Sequence, residues 1–304
     1  MNDIRPNSFA AWQAFTRPKT WGVAVAPVIA ALALAGYETL SFDSTIAFFT
    51  LTIALLMQII SNMKNDLGYT EKKAETGNRK GLPRATSEGW ISVRAARLAI
   101  ITTIFLALLN TTVLIAFGGW VFALIGISSV IAAYAYMGGP KPIAYTPFGE
   151  LTVLVFFGLT AVCGTYYLQA HTLSVNAVLL GTALGAVASA VLCINNWRDR
   201  EHDKSVNRHT LAVVVPETSF LRLITLLIFL PFVLTVVMVI LDHALWPTML
   251  VFFALPQALP IPHELKIRQH QALNQTMFAC VKLELLVSIA FSIGAVTALL
   301  IKIG

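Results

Sequence analysis

Apolar runs of membrane-spanning length alternate with short polar segments along almost the whole chain. A spanning helix needs about 20 mostly apolar residues. Nine stretches meet that description: 21–38, 45–63, 97–116, 120–137, 148–168, 174–194, 220–241, 246–263 and 277–301. Gly118-Gly119 is all that separates the third from the fourth, so a tight turn is expected there. The eighth carries Pro256, Pro260 and Pro262, which kink or end a helix. Before the first span, Phe9 to Phe15 reads as a short interfacial helix, and no signal peptide is expected. The expectation is an all-α, polytopic bundle of nine transmembrane helices forming one domain over residues 1–304.

The basic residues give the topology. Nine spans place the termini on opposite sides. One side then receives the N-terminus and the loops near 64–96, 138–147, 195–219 and 264–276. With the first turn of each following span, these segments hold nineteen of the twenty-one Lys and Arg. The opposite loops hold none; Lys282 and Lys302 are the remainder. The positive-inside rule places the basic side in the cytoplasm, in a bacterial inner membrane. Composition agrees: 57% of residues are hydrophobic and only 12% charged, against about 25% charged in soluble domains. The net charge of +6 therefore reads as topology rather than nucleic-acid binding. Membrane lipid is the expected surrounding partner. Cys163, Cys193 and Cys280 sit in apolar segments without metal-type spacing and read as small core residues.

Two polar clusters stand at the basic ends of spans two and six. Asn62 and Asp66 are four residues apart and share a helix face, with Asn65 beside them. Asn195, Asp199 and Asp203 repeat that spacing, with Asn196 and Arg198 between. Each alone also fits a solvated helix end. Together they form a plausible oxygen-ligand set for Mg²⁺, which is typically held by one or two carboxylates plus substrate phosphates. Of the surrounding basic residues, Arg79, Arg84, Arg198 and Lys204 are the candidates for phosphate contact. In the Gly- and Pro-rich loop 138–150, Lys141 and Tyr145 are within plausible reach of a ligand, and Glu150 suits a helix start. The histidines form no metal set. Tyr166-Tyr167 reads as an interfacial aromatic pair. No P-loop, Rossmann fingerprint or Ser/His/Asp arrangement is present.

These segments resemble the UbiA superfamily of intramembrane prenyltransferases, and within it the 1,4-dihydroxy-2-naphthoate polyprenyltransferase branch. Arg17-Pro18-Lys19-Thr20 looks like the opening signature of that branch. Asn62-x-x-Asn65-Asp66 with Glu75-Thr-Gly-Asn78-Arg79-x-Gly81 is similar to the first acidic motif. Asn195-Asn196-x-Arg198-Asp199-x-x-x-Asp203, followed by Thr210-Leu-Ala-Val213, is similar to the second. The resemblance implies a UbiA-like bundle in which Mg²⁺, held by the two motifs, binds a polyprenyl diphosphate. Asp66, Asp199 and Asp203 then serve the metal and the chemistry, with Asn62, Asn65, Arg79, Arg84, Lys141, Tyr145, Asn195, Asn196, Arg198 and Lys204 around the substrates. The aromatic acceptor, 1,4-dihydroxy-2-naphthoate, would gain the prenyl chain and lose CO₂, giving demethylmenaquinone. Other aromatic acceptors, or isoprenoid or quinone binding without catalysis, are the alternatives. One departure bears on this. The last Asp of the first motif is Tyr69 here, the usual Gly is Lys73, and the closing Asp is Glu75; Val214 replaces an Arg after the second motif. Either Glu71 or Glu75 takes over the metal, or Lys73 supplies part of its charge, or the activity is lost or altered.

Overall fold

The structure, a computed structural model, describes residues 4–74 and 81–304. Ser8 caps the amphipathic helix α1 (Phe9–Thr16) by accepting a hydrogen bond from the Ala11 N–H. The helices that follow are α2 (Gly22–Thr39), α3 (Ser44–Glu71), α4 (Val93–Gly118), α5 (Val121–Ala135), α6 (Gly149–Ala170), α7 (Val175–Arg198), a short extramembrane α8 (Arg200–Ser205), α9 (Glu217–Leu241), α10 (His243–Ile267) and α11 (His270–Ile303). All nine apolar stretches are helical. Eight are long and apolar enough to cross a membrane, and the ninth, α5, has 15 residues. At about 1.5 Å per residue, α5 falls short of the roughly 30 Å hydrocarbon thickness. The chain is an integral membrane protein.

The ends differ from expectation in informative ways. Helix α3 runs to Glu71, beyond the apolar stretch, so the first polar cluster is carried wholly on helix; α7 runs to Arg198, which leaves Asp199 at the junction and Asp203 on α8. Gly119, at φ 78°, makes the turn between α4 and α5. The prolines of α10 break it into a tightly wound 3₁₀ segment, His243–Ala254, and two α-helical pieces, Leu255–Ala258 and Ile261–Ile267. Proline is placed in the first turn of each α-helical piece, where no N–H is needed.

One large apolar core joins α2, α6, α7, α9, α10 and α11; smaller ones join α1 to α3 and α4, and α3 to α4, α5 and α6. Large side chains such as Phe48, Phe105, Ile131 and Phe253 project outward, as lipid contact requires. At the end away from the basic loops, polar ties link the helices. Tyr166 and Asn176 donate to Glu38, Tyr37 donates to Asp242, and Gln169 exchanges two hydrogen bonds with the Asp43 backbone. Tyr166 is therefore a buried cross-tie rather than a membrane-interface residue.

The α6–α7 crossing determines the shape of the cavity described below. A Cβ on Gly158 would lie 2.3 Å from the Gly181 carbonyl oxygen and 2.5 Å from the Gly185 Cα. Small residues let these backbones touch, a common device where helices meet in lipid. The π-helical turn Leu154–Thr160 lies at this contact and brings the sequential pair Phe156 and Phe157 both to the cavity wall. Gly158→Val should force α6 and α7 apart, lowering stability by about 1–3 kcal/mol or more. Thermal unfolding in detergent reads this as a lower midpoint; an unchanged midpoint would contradict the packing described.

Candidate active site

A cavity of about 270 Å³ lies within the ring of helices α2 to α7. Its deep wall is apolar, with Val28, Ile53, Leu114, Phe122, Ile125 and Leu168 among the lining. Its other end, towards the basic loops, is polar: Arg17, Gln58, Asn62, Asn65, Asn195 and Arg198 line it. No Asp or Glu is among the described residues that line this cavity. The shape suits a molecule with an apolar tail and a multiply charged head.

The opening signature builds one side of the polar end. Arg17 takes a left-handed conformation, φ 54°, between α1 and a 3₁₀ turn at Pro18–Thr20. Helix α3 bolts this turn down. Gln58 donates to the Thr20 carbonyl at 3.1 Å and to its hydroxyl at 3.0 Å. Asn62 donates to the Thr16 carbonyl at 2.9 Å and to the Thr20 hydroxyl at 3.1 Å. The Trp21 indole N–H also donates to Thr16. The Asn62 amide nitrogen is thus spent on placing Arg17, whose guanidinium reaches to 3.7 Å from Asp66. Thr20→Val keeps the shape and removes an acceptor used by both α3 amides. An unpaired buried donor costs about 1–3 kcal/mol, so the KM for a prenyl diphosphate should rise about tenfold with little change in kcat. Steady-state kinetics separate the two; a kcat-only effect would contradict a placing role.

The other side comes from the end of α7. Arg198 is buried, and four of its five guanidinium N–H donors are engaged, which leaves one Nη1–H. Nε and Nη2 donate to the two Asp199 carboxylate oxygens at 2.9 and 2.7 Å, Nη2 also to Asn195, and Nη1 to Asn274 of α11. Such a bidentate pair fixes the plane and position of the guanidinium.

The remaining aspartates are engaged too. The Asp66 carboxylate accepts from the backbone N–H groups of Ala85 and Thr86, each at 2.9 Å, and from the Thr86 hydroxyl at 2.8 Å. It anchors the returning loop to α3. Asp203 pairs with Arg208 at 2.8 Å. Arg208 also donates to the Tyr69 hydroxyl and the Ala144 carbonyl, and Arg84 stacks on the Tyr69 ring at 4.2 Å. Burial alone would lower the Arg208 pKa, but Tyr69 and Asp203 more than reverse this and hold it above its ordinary value. Tyr69, standing where the resemblance expects a carboxylate, works as a strut between the two motifs.

Of the expected site residues, Asn62, Asn65, Asn195 and Arg198 meet at the cavity. Asp66, Asp199 and Asp203 are buried behind or beside it. The others are placed elsewhere. Asn196 donates to the buried Glu150, tying α7 to the start of α6. Glu71 is held by Lys64 and Arg97, both at 2.9 Å. Tyr145 faces Arg208 and Lys72, Lys204 is exposed and pairs with Glu201, and Lys141 is exposed. Lys73, also exposed, has left-handed backbone. Glu75 and Arg79 lie outside the described residues. The residues that sequence reasoning missed are Arg17, Thr20, Gln58 and Arg208; the Arg-Pro-Lys-Thr signature was the available signal for the first two.

Among the described residues no three His, Cys, Asp or Glu side chains are grouped to hold a metal. With Asp199 and Asp203 each paired to an arginine and Asp66 capped by amides, the described residues do not form a preformed Mg²⁺ nest in this arrangement.

The sequence pattern of the UbiA prenyltransferase family matches residues 24–292. The 1,4-dihydroxy-2-naphthoate octaprenyltransferase of Escherichia coli strain K12 is 39% identical over 220 residues, covering 70% of each chain. That of Haemophilus influenzae is 37% identical over 210 residues, covering 66% of this chain and 68% of its own. The solved structure of a UbiA homolog from Archaeoglobus fulgidus bound to DMAPP and Mg²⁺ superposes with a TM-score of 0.67 at 16% identity, covering 95% of this chain and 99% of that one. At that identity the likeness is one of fold.

Proposed function

From a chain that belongs to the UbiA prenyltransferase family, we propose an enzyme that transfers a polyprenyl chain from its diphosphate to 1,4-dihydroxy-2-naphthoate in menaquinone synthesis. The single observation that carries this is the two-ended cavity, apolar along α3 to α6 and lined by Arg17, Arg198 and three asparagines at its head. The relatives named for this acceptor, at 37–39% identity, support the choice of acceptor. They weigh against another aromatic acceptor and against binding without catalysis.

In this reading the prenyl tail lies against Leu114, Phe122, Ile125 and Leu168, and the diphosphate meets Arg17, Asn65, Asn195 and Arg198. The bond from C1 of the prenyl group to the diphosphate oxygen breaks, and both electrons leave with the diphosphate. Arg17 and Arg198 stabilise the charge that develops there, in a site from which lipid and protein exclude most water. The acceptor ring carbon bearing the carboxylate bonds to C1. CO₂ then leaves that carbon, restoring the aromatic ring. The product is the prenylated quinol, collected as demethylmenaquinone after oxidation.

Mg²⁺ forms part of the proposal as a companion of the diphosphate, offsetting its charge, rather than as an ion held in a ready-made protein cage. The basic end is proposed to face the cytoplasm of a bacterial inner membrane.

The test is a transfer assay in lipid, with one polyprenyl diphosphate and two acceptors, 1,4-dihydroxy-2-naphthoate and 4-hydroxybenzoate. Prenylated naphthoquinone by mass spectrometry is the expected product. Prenylation of hydroxybenzoate alone, or of neither acceptor by folded protein, would overturn the reading.

A further inference from the structure

A second cleft, of about 370 Å³, opens at the basic end between the α7–α8 junction, α9 and the α10–α11 turn. Arg198 lines both this cleft and the main cavity, so the Arg198–Asp199 pair forms the partition between them. Four permanent cations line the cleft: Arg198, Arg200, Lys266 and Arg268. Two have their charge committed. Arg198 is matched by Asp199 and Arg268 by Glu264. Arg200 and Lys266 are different. Arg200 lies over the Trp197 ring at 5.2 Å, and its only ion pair among the described residues is a loose one, 3.7 Å to Glu217. Its Nε–H is buried and donates to no group among the described residues. Buried donors are rarely left in that condition, and a guanidinium edge is shaped for an oxyanion. Lys266 is exposed and makes no ion pair among the described residues. The rest of the lining includes apolar Trp197, Leu221 and Leu265 and three carboxylates, of which Asp199 faces Arg198, Glu217 loosely faces Arg200, and Glu201 pairs with Lys204.

The geometry points to an oxyanion vestibule, in which Arg200 and Lys266 hold a water-borne anion one side chain away from the reaction cavity. This rests on the proposed function for its two sources of anion: the diphosphate released by the reaction, or the carboxylate of the incoming aromatic acceptor. Both present planar or tetrahedral oxygen groups to the same donors. The aromatic source would also cover Trp197 and the leucines.

Calorimetric titration tests it. The protein is titrated with inorganic diphosphate, with 1-hydroxy-2-naphthoate, and with 1-naphthol, which lacks the carboxylate. Each titration is run with the main cavity empty and with it filled by geranyl thiodiphosphate. At least one of the two oxyanions is expected to bind the filled protein, and naphthol is not. The double variant Arg200→Gln, Lys266→Gln should weaken that binding at least tenfold while leaving the affinity for geranyl thiodiphosphate unchanged, which also shows that it is folded. Diphosphate binding alone would identify the product as the occupant, and hydroxynaphthoate binding alone the acceptor. Absence of both from the filled protein would overturn the vestibule, as would equal affinity in parent and double variant. Failure of geranyl thiodiphosphate itself to bind would instead count against the proposed function. The vestibule would then be judged on the empty protein by its dependence on Arg200 and Lys266.

Discussion

Replacing Arg198 with lysine is expected to lower kcat/KM by ~10²–10³, the cost of losing one oriented donor to a charge that develops during reaction. Lysine keeps the charge, so charge alone does not account for the loss. The guanidinium is held as a plane by Asp199, Asn195 and Asn274, while its face forms part of the cavity head. An ammonium cannot fill that fork and would be drawn to one Asp199 oxygen, away from the cavity. Asp199→Asn should behave similarly, because it retains the shape but leaves Arg198 without its counter-charge. Steady-state kinetics with both substrates varied give the answer. A fall confined to KM would mean that Arg198 only binds the ground state. No fall in either variant would remove Arg198 from the chemistry.

The second large effect concerns the lock behind the site. Arg208→Met should destabilise the protein by about 3–5 kcal/mol, the usual cost of removing one partner of a buried ion pair. Asp203, fully buried, would lose its pairing with Arg208, and Tyr69 and the Ala144 carbonyl would each lose a donor. Tyr69→Phe removes only the hydroxyl and should cost closer to 1–2 kcal/mol. Thermal unfolding in detergent, with the midpoints of both variants compared, checks the order. A Tyr69→Phe loss equal to or larger than that of Arg208→Met would show that the ion pair is not the main element of the lock.

Much of this architecture is legible in the sequence because lipid is an unforgiving solvent. Length and apolar content are enough to place nine helices, and the Lys and Arg positions mark one end as basic. The turn before α5 and the segmented α10 also follow from local chemistry, a glycine pair and a set of prolines, whereas the 15-residue length of α5 does not. What the sequence does not display is which partner each polar side chain takes. Asn62 and Asn196 have the same residue type and similar settings. Yet Asn62 reaches a turn 42 to 46 residues earlier, and Asn196 reaches Glu150, 46 residues earlier on another helix. Spacing places Asn62 and Asp66 on one face but does not reveal that the Ala85 and Thr86 amides satisfy Asp66. Glu71 likewise resembles a spare ligand until α4 brings Arg97 beside it. In sequence the substitution at Tyr69 leaves open compensation by Glu71 or Glu75, charge from Lys73, or a lost or altered activity. In the fold it is a replacement, since a phenol can accept from Arg208 and offer its ring to Arg84.

The central claim is that one cavity within α2 to α7 receives the prenyl diphosphate, with its head at Arg17 and Arg198. The most direct measurement is photolabelling with a prenyl diphosphate that carries a benzophenone at the far end of its tail, followed by peptide mapping. The account expects label on the segments containing Leu114, Phe122 or Leu168, suppressed by unlabelled polyprenyl diphosphate. Label confined to α9 or α10, or label that the unmodified substrate fails to suppress, would contradict it.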